Sequence, residues 1–537
     1  MKVHQALAKA VDDLGATAVF GLLGDANLFF GESLVNETEV EYVPVAHEAS
    51  AVLAAAGYAT TSGRVGVATV THGPAFSNTI TPLIEAARNS TPLVLIAGDT
   101  ELEDEGNLQD IPQEALVAPT GAGFIQVRTP EQATRALATA FRQARFERRP
   151  VVLNVPRPLQ LADVEYEAVH PERGHPASTP TEEDLDGAAG MLTWARRPVV
   201  LAGHGAIDPE SRAAMVELAT FLGAPLATTL KAKGLFKGEP LDIGVFGTLS
   251  TEKGVELIAE ADCVAAFGAS LSRFTTDAGA LLEGKRVIQC NVDGSALGAT
   301  VDVDEQLIGD AASTARALVA LLTAAGSKPS GWYGGAPDSN GKVGRSTHPD
   351  LRPGTVDLQE TLDWMEESLP AERHLAVDVG RFMLATLKTI SVPEPRSYVH
   401  TAGIGAIGLS VPTAIGAWKG SPDRPIVTVA GDGGFMLGGL TEFNTAVRSN
   451  VDLIVFVMND GAYGAEHIQF SRRDLDPSVV EMDWPDLAEV ADSLGGRGLT
   501  VREPADLAAV KEAIDDRDRP LLVDVKLDPT AIALEGH

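Results

Sequence analysis

The sequence has few cysteines, a shortage of basic residues relative to acidic ones, and no long apolar run. Its two cysteines among 537 residues, Cys263 and Cys290, lie in apolar strand-like stretches. They predict small core residues in a reducing compartment, which excludes a disulfide framework. The sequence contains 42 lysines and arginines but 74 aspartates and glutamates, which gives a net charge of −32. This charge argues against nucleic acid or membrane partners, and without a signal core or spanning run we expect a cytoplasmic protein.

The chain is too long for one hydrophobic core, and its composition indicates where it divides. Two stretches rich in proline, glycine and polar residues, 165–187 and 326–354, are typical of linkers. Elsewhere, short β-branched runs alternate with helical patterns rich in alanine and leucine. This alternation predicts an α/β protein of three doubly wound parallel-sheet domains, 1–165, 188–325 and 355–537. Ligands of such domains bind at the carboxyl ends of the strands.

Two glycine-rich stretches bear on whether the chain binds a dinucleotide. Residues 403–408, GIGAIG, match the G-x-G-x-x-G fingerprint, but the strand that should precede them is short and poor. Residues 203–205 follow a better strand but lack the third glycine. We therefore expect no dinucleotide site at 403–408, and we interpret 203–205 as a tight turn.

A third glycine-rich stretch carries more chemistry. The apolar run PIVTVA ends at Gly431, and Asp432 and Gly433 follow it before a helical pattern begins. Glycines let backbone N–H groups approach a phosphate, and a helix N-terminus favours negative charge. A carboxylate beside a phosphate needs a divalent cation to offset their repulsion, and Mg2+ or Ca2+ prefers such oxygen ligands. The pattern therefore predicts a metal-bridged phosphate site at this strand end.

A second metal ligand should come from the end of a neighbouring strand. The apolar run VDLIVFVM is followed by Asn459, Asp460 and Gly461, and 25 residues separate Asn459 from Gly433. That spacing suits one helix, a turn and one strand. The acids at positions 432 and 460 are therefore expected at the same edge of one sheet.

Together these motifs resemble the thiamine diphosphate motif, in which Gly-Asp-Gly is followed after about 25 residues by Asn-Asn or Asn-Asp. Three more stretches occur in the order of that family. Residues 47–60 resemble the glutamate-bearing helix of a pyrimidine-binding domain, 71–99 the T-S-G-P-G loop and helix of acetolactate synthases, and 403–417 the segment that supports the bent cofactor. Over nearly its whole length the chain is thus identified as a member of the acetolactate synthase/pyruvate decarboxylase superfamily.

The resemblance implies thiamine diphosphate and Mg2+ as cofactors and implies which residues hold them. Glu48 matches the catalytic glutamate that hydrogen-bonds the N1′ atom of the cofactor, and we expect its carboxyl group in an apolar pocket. Gly405 would accept the 4′-amine at its carbonyl, and Ile407 would keep the cofactor bent. The implied metal ligands are Asp432, Asp460 and the carbonyl of Ala462. The further implied cofactor contacts are Gly380, Arg381, Gly431, Gly433, Gly434, Asp460 and Tyr463.

Position 460 departs from the family, which usually has the second asparagine of Asn-Asn there. An aspartate adds negative charge beside an anionic diphosphate, so it either strengthens metal binding or disfavours cofactor without metal. The resemblance also implies that Glu48 and the diphosphate site come from different subunits. We therefore expect a homodimer or homotetramer with shared active sites, and leave open whether the central domain binds a flavin or a nucleotide.

Residues around the reacting carbon decide whether an enzyme of this superfamily releases an aldehyde or joins a second carbonyl. Asp25 matches an acid of the simple 2-oxo acid decarboxylases, and Glu466 has the register of their active-site glutamate. Two acids favour protonation of the carbon. The paired histidines of those decarboxylases are absent, and Gln109 lies instead in a stretch that resembles the acetolactate synthase loop. His72 replaces the serine of T-S-G-P-G and is a candidate proton relay.

We therefore expect non-oxidative decarboxylation of a small-molecule 2-oxo acid through an enamine intermediate, with or without carboligation. The alternative is an acetolactate synthase-like carboligase or a 2-hydroxyacyl-CoA lyase-like enzyme, and a catalytically silent regulatory homologue is a third reading. Four arginines are candidates to clamp a second carboxylate of the substrate, and Arg381 ranks first: Arg64, Arg88, Arg273 and Arg381.

Overall fold

The computed structural model describes residues 1–101, 106–171, 178–335 and 351–531 of the chain. The predicted linkers 165–187 and 326–354 lie partly outside these residues. The described part contains three parallel sheets of six strands each, which confirms the predicted class of three α/β domains. None of its helices has the length and apolarity that crossing a membrane requires.

The first sheet has the strand order β2-β1-β3-β4-β6-β5. Its strands are β1 (Ala18–Gly21), β2 (Glu41–Pro44), β3 (Gly66–Val70), β4 (Leu93–Asp99), β5 (Gly123–Gln126) and β6 (Pro150–Pro156). The helices around it are α1 (Val3–Asp13), α2 (Leu28–Glu37), α3 (Glu48–Ser62), α4 (Pro74–Ser77), α5 (Ile80–Arg88), α6 (Gln113–Val117), α7 (Ala133–Glu147) and α8 (Arg157–Gln160). The inner strands are buried on both faces, which explains their continuous apolar runs.

The central sheet has the order β12-β11-β10-β7-β8-β9. Its strands are β7 (Pro198–Ala202), β8 (Leu226–Thr228), β9 (Asp242–Val245), β10 (Cys263–Phe267), β11 (Arg286–Asn291) and β12 (Glu305–Ile308), and its helices are α9 (Glu182–Trp194), α10 (Pro209–Leu222), α11 (Glu252–Glu260), α12 (Arg273–Thr276) and α13 (Ala311–Ala324). Both cysteines are buried and free. Helix α9 begins inside the predicted linker because the Thr181 side chain caps it, accepting a hydrogen bond from the Asp184 amide.

The third sheet has the order β14-β13-β15-β16-β18-β17. Its strands are β13 (His374–Val377), β14 (Tyr398–His400), β15 (Ile426–Gly431), β16 (Leu453–Asn459), β17 (Arg497–Val501) and β18 (Leu521–Lys526). Its helices are α14 (Leu358–Ser368), α15 (Met383–Thr389), α16 (Ser410–Gly420), α17 (Asp432–Gly434), α18 (Leu440–Arg448), α19 (Gly464–Arg472), α20 (Leu487–Ser493) and α21 (Leu507–Asp515). One π-helical turn, 435–439, joins α17 to α18 into a continuous helical run.

The chain divides into two compact units, and the first and third sheets belong to the same one. That unit contains Met1–Arg173, Thr347–Thr386 and Val399–His537, whereas the central sheet lies in the other. Within the first unit, α3 packs against α16 with the two backbones almost in contact. A Cβ atom at Gly416 would lie 1.7 Å from the carbonyl oxygen of Ala54. The crossing of these two helices therefore requires a residue without a side chain.

We expect Gly416→Ala to lower the free energy of unfolding by roughly 1–3 kcal/mol or more, because the added methyl group must separate the two helices. Chemical denaturation followed by circular dichroism measures the change. The control is Gly190→Ala in α9, where a Cβ atom would meet nothing within 4 Å. That control should be neutral or stabilise by up to about 1 kcal/mol, since alanine favours helix. Equal effects of the two substitutions would contradict the proposed close packing.

Candidate active site

Acidic residues lie at the carboxyl ends of three adjacent strands of the third sheet. Asp378 follows β13, Asp432 follows β15 and Asp460 follows β16, and these strands pair in the order β13-β15-β16. All three side chains are buried. The sheet edge where ligands of such domains bind is therefore strongly acidic, as the sequence predicted for two of the three positions.

The glycines around Asp432 make room for close contacts. A Cβ atom at Gly433 would lie 2.5 Å from the ring of Tyr463, and one at Gly434 would lie 2.9 Å from a carboxyl oxygen of Asp378. Gly380 and Gly431 both lie against the ring of Phe382, since Cβ atoms there would lie 2.4 and 3.2 Å from its Cε1 atom. The helical run starts directly at Asp432, so its first amides have no partner within the helix.

Asp432 and Asp460 form the charged centre of this edge, and they are only 2% and 9% exposed. Burial, followed by the nearby Asp460 carboxylate, raises the pKa of Asp432 to about 7. Oδ2 of Asp432 accepts a hydrogen bond of 2.9 Å from Nε1 of Trp484. Two buried carboxylates that repel each other suit a divalent cation, which would relieve the repulsion.

The described residues contain no group of three histidine, cysteine or acidic side chains able to enclose a metal. Two carboxylates at a strand edge would leave most coordination positions of a divalent cation to other oxygens, such as those of a diphosphate. Ala462, whose carbonyl is the third predicted ligand, is buried two residues beyond Asp460, and its amide donates to Oδ1 of Asp460. The residues present thus fit a metal-bridged diphosphate.

Arg381 neutralises the unusual aspartate at position 460. Its Nε atom lies 2.5 Å from Oδ2 of Asp460, and both side chains are nearly buried, at 6% and 5% exposure. The other guanidinium nitrogens donate to the carbonyls of Asp528 and Ala531. A Cβ atom at Gly464 would lie 2.3 Å from the Asp460 carboxylate, so a glycine there makes room for the pair. The additional negative charge that the sequence predicted is therefore offset, and the pair carries no more net charge than an asparagine.

Two buried acids that sequence reasoning missed hold the loop 403–408. Oδ2 of Asp378 accepts a 2.8 Å hydrogen bond from the Gly408 amide, and burial raises the pKa of Asp378 to about 6. Glu85, on α5, accepts hydrogen bonds from the amides of Gly403 and Ile404 at 2.9 and 2.8 Å. Asp378 follows a strand in the same way as Asp432 and could have been recognised, whereas nothing in the sequence around Glu85 indicates its role.

The loop that these acids hold contains both residues predicted to support the cofactor rings. Gly405 has φ of +78°, and a Cβ atom there would meet nothing within 4 Å. Ile407 lies beside Gly434, since a Cβ atom at Gly434 would lie 3.6 Å from that of Ile407. The loop thus brings the predicted ring contacts next to the predicted diphosphate contacts. Arg88 reaches the same loop, donating to the carbonyl of Gly403 at 3.4 Å.

We expect Glu85→Gln to lower the free energy of unfolding by roughly 1–3 kcal/mol and to weaken cofactor binding. Both carboxylate oxygens of Glu85 accept backbone amides, and a glutamine would turn an NH2 group toward one of these donors. Denaturation of the apoprotein and a cofactor titration would measure the two effects. Glu32→Gln on α2, where the carboxylate is exposed, is the control and should change stability by less than about 0.5 kcal/mol. Unchanged stability and cofactor affinity in Glu85→Gln would contradict the anchoring role.

Glu48 is the first residue of α3 and is partly exposed. Its Oε2 atom accepts a 3.0 Å hydrogen bond from the side-chain amide of Asn78. Ala51 and Val52, which the sequence suggested as part of an apolar pocket around this carboxyl group, are buried in the core of their own domain. A hydrogen bond to the third domain lies nearby. The backbone amide of Ala46 donates to Oε1 of the buried Glu442 on α18.

The turn at Gly73, next to His72, packs against the backbone of Gln109. Gly73 has φ of +63°, and a Cβ atom there would lie 2.3 Å from the carbonyl oxygen of Gln109. Gln113 fixes this arrangement because its Oε1 accepts the Gly73 amide while its Nε2 donates to Asn154 and to the Gly98 carbonyl. The two segments that resemble acetolactate synthases thus form one packed unit.

The surroundings of His72 are acidic. Its ring is buried and Nδ1 contacts the Thr71 hydroxyl at 3.0 Å. Burial lowers the pKa of His72, although the charges of Asp25 and Asp99 oppose this shift. Asp25 is exposed and forms an ion pair of 3.3 Å with Arg157. A neutral His72 next to carboxylates can accept a proton at one ring nitrogen, which a relay requires.

Glu466 lies elsewhere, exposed on α19 of the third domain. No hydrogen bond or ion pair joins it to Asp25 within the described part of this single chain. Its neighbour His467 is buried, and Nε2 of His467 lies 3.6 Å from Oε1 of Glu481. Arg64 is also displaced from the site, since it follows the C-terminal end of α3 while Glu48 begins that helix. Of the other three candidate arginines, Arg381 contacts the predicted site residue Asp460, Arg88 contacts Gly403 in the loop that carries Gly405 and Ile407, and Arg273 begins α12 of the central domain.

Comparison with family models gives matches in each of the three domains. Residues 1–120 match the N-terminal thiamine pyrophosphate-binding domain of thiamine pyrophosphate enzymes. Residues 185–318 match the central domain of these enzymes, and residues 378–525 match their C-terminal thiamine pyrophosphate-binding domain. The matches follow the order in which the three sheets occur along the chain.

Curated relatives match nearly the whole chain. A probable 2-ketoarginine decarboxylase of Pseudomonas aeruginosa is 31% identical over 94% of this chain and 89% of its own length. The acetolactate synthase large subunit of Corynebacterium glutamicum is 27% identical over 97% of this chain and 86% of its own. A probable acetolactate synthase large subunit of Methanocaldococcus jannaschii is also 27% identical, over 98% and 92%. These similar proteins thus include one named as a probable decarboxylase and others named as acetolactate synthases.

Proposed function

Because this chain belongs to the thiamine pyrophosphate enzymes, we propose that it catalyses the non-oxidative decarboxylation of a small-molecule 2-oxo acid, with Mg2+ as the partner of the cofactor. The observation that carries the proposal is the pair of buried acids Asp432 and Asp460 at adjacent strand ends, next to the start of a helical run. When bound, thiamine diphosphate supplies an electron sink for the carbanion that loss of CO2 leaves behind.

The residues of the third domain would hold the cofactor. Mg2+ would be bound by Asp432, Asp460 and the carbonyl of Ala462. The backbone amides of Gly433 and Gly434 would donate hydrogen bonds to the diphosphate oxygens. Gly431, Gly380 and Tyr463 would line this end of the cofactor. At the other end, Gly405 and Ile407 would contact the rings, on a loop that Asp378 and Glu85 keep in place. A rigid loop favours one orientation of the bound rings.

Acids and one histidine would handle protons. One carboxyl oxygen of Glu48 accepts a hydrogen bond from Asn78. The other would share a proton with the ring nitrogen N1′ of the cofactor. Asp25, with His72 next to it, and Glu466 would deliver a proton to the reacting carbon. The exposure of Asp25 and Glu466 keeps them accessible to a substrate.

A carboligase is the second candidate, and one observation favours it. His72, Gly73 and Gln109 form a packed unit in the region that resembles acetolactate synthases, and several similar proteins bear that name. Residues that hold a second carbonyl compound near the carbanion would favour formation of a C–C bond over protonation of the carbanion.

We also propose an assembly of two or four copies in the cytoplasm. Glu48 is partly exposed and contacts only side chains of its own domain among the bonds described, so a second copy has access to it. Two buried free thiols agree with a reducing compartment. Analytical ultracentrifugation with and without cofactor tests the assembly.

Mass spectrometry of the products from a panel of 2-oxo acids, with thiamine diphosphate and Mg2+ present and CO2 counted, tests the reaction. The panel should include a guanidino 2-oxo acid, because one relative is named for 2-ketoarginine. One aldehyde for each CO2 would support decarboxylation, whereas hydroxyketone or acetohydroxy acid would support the carboligase. No CO2 from any member would overturn the proposed function.

A further inference from the structure

A cavity on the N-terminal domain contains none of the residues proposed to hold the cofactor or to move protons, and Arg64, which lies away from that site, is part of its lining. Its volume is about 710 Å3, which is within the size range of sites for drug-sized ligands. Its walls come from the end of α1, the turn 63–65 after α3, and one face of α7. Helix α3 has 15 residues, roughly 22 Å in length, and Glu48 begins its other end. The cavity is therefore separate from the cofactor site.

The charge of this cavity is opposite to that of the protein. Among the described residues that line it, four are arginines and Asp12 is the single acid, whereas the chain as a whole carries a net charge of −32. The arginines are Arg64, Arg135, Arg142 and Arg145. A space lined by several guanidinium groups favours an anionic ligand over a neutral or cationic one.

The spacing of residues on α7 produces this arrangement. Arg135, Arg142 and Arg145 are seven and three residues apart, which brings them to the same side of a helix. Ala138 and Thr139 lie between them along the lining, and their small side chains leave the space between the arginines open. Arg64 reaches the cavity from the turn that follows α3.

The lining also offers an apolar wall. Phe141 and Phe146 line the cavity together with Val65, and the guanidinium of Arg145 lies 5.9 Å from the centre of the Phe146 ring. Guanidinium groups match phosphate oxygens in geometry and bind them with two parallel hydrogen bonds. A ligand with clustered phosphates and a flat organic part would use both kinds of wall.

We propose that this cavity binds a small organic phosphate of nucleotide size that carries at least two negative charges. The proposal does not depend on which 2-oxo acid the enzyme uses, because none of the lining residues belongs to the cofactor site.

Isothermal titration of ADP and of inorganic pyrophosphate into the holoenzyme, saturated with thiamine diphosphate and Mg2+, tests this proposal. Saturation keeps pyrophosphate from the cofactor site. Arg64→Gln and Arg135→Gln are each expected to weaken binding about tenfold or more, since each removes a charged hydrogen bond to phosphate. Arg128→Gln is the control, because Arg128 is exposed in the same domain but is not part of the lining.

Each variant should keep the cofactor-saturated activity of the original chain, which shows that it is folded. Tighter binding of ADP than of pyrophosphate would support a nucleotide as the ligand, and equal binding would support the phosphates alone as the recognised group; both uphold the site. Binding of neither compound at about 10 mM would overturn the proposal, as would binding that Arg64→Gln and Arg135→Gln leave unchanged.

Discussion

Glu48→Gln is expected to reduce kcat by roughly 10^2- to 10^4-fold, the contribution typical of a positioned acid–base group. A glutamine has no carboxyl proton to share with the cofactor ring. The fold should tolerate the change, because the side-chain carbonyl of glutamine can still accept the hydrogen bond from Asn78. Steady-state kinetics on the 2-oxo acid that the product panel identifies would measure the loss.

Cofactor binding separates this catalytic role from a structural one. The dissociation constant of thiamine diphosphate should change by less than about tenfold in Glu48→Gln, since one hydrogen bond contributes at most about 1.5 kcal/mol in the net balance. Glu37→Gln, at the end of α2, is the control and should leave both quantities unchanged. Activity within tenfold of the original chain would show that Glu48 does not have the proposed role.

Arg381→Met is expected to lower the free energy of unfolding of the apoprotein by about 3–5 kcal/mol. The substitution leaves the Asp460 carboxylate buried next to Asp432 without its compensating charge. It also removes the hydrogen bonds from the guanidinium to the carbonyls of Asp528 and Ala531, which lie beyond the last strand. Methionine approximates the volume of the arginine stem, so the loss reports on charge and hydrogen bonding rather than on packing. Urea denaturation followed by circular dichroism measures it.

The double variant Arg381→Met/Asp460→Asn is the decisive control. It removes both charges and restores the asparagine that the family usually has, so it should recover most of the lost stability. Binding of thiamine diphosphate, followed through the fluorescence of Trp484 next to Asp432, should weaken in the single variant and recover in the double one. A double variant no more stable than Arg381→Met would contradict charge compensation.

The fold and the diphosphate end of the site were largely predictable from the sequence. Buried parallel strands read as continuous apolar runs, and the acids that follow them must meet at one edge because all strands of such a sheet point the same way. That local logic located Asp432 and Asp460, and it would equally have located Asp378 after HLAV. Glycines at 431, 433 and 434 were predictable for the same reason, since backbone has to approach a ligand there.

What the sequence by itself determined, then, is the periodic pattern of three α/β domains and the residues whose position follows from a strand end. Only the tertiary structure decided which distant groups meet. Arg381 and Asp460 are separated along the chain yet form one ion pair, and Glu85 holds amides more than 300 residues away. The physical reason is that apolar periodicity specifies which side of an element is buried. Partners for a buried charge depend instead on how whole elements pack, and no local pattern encodes that.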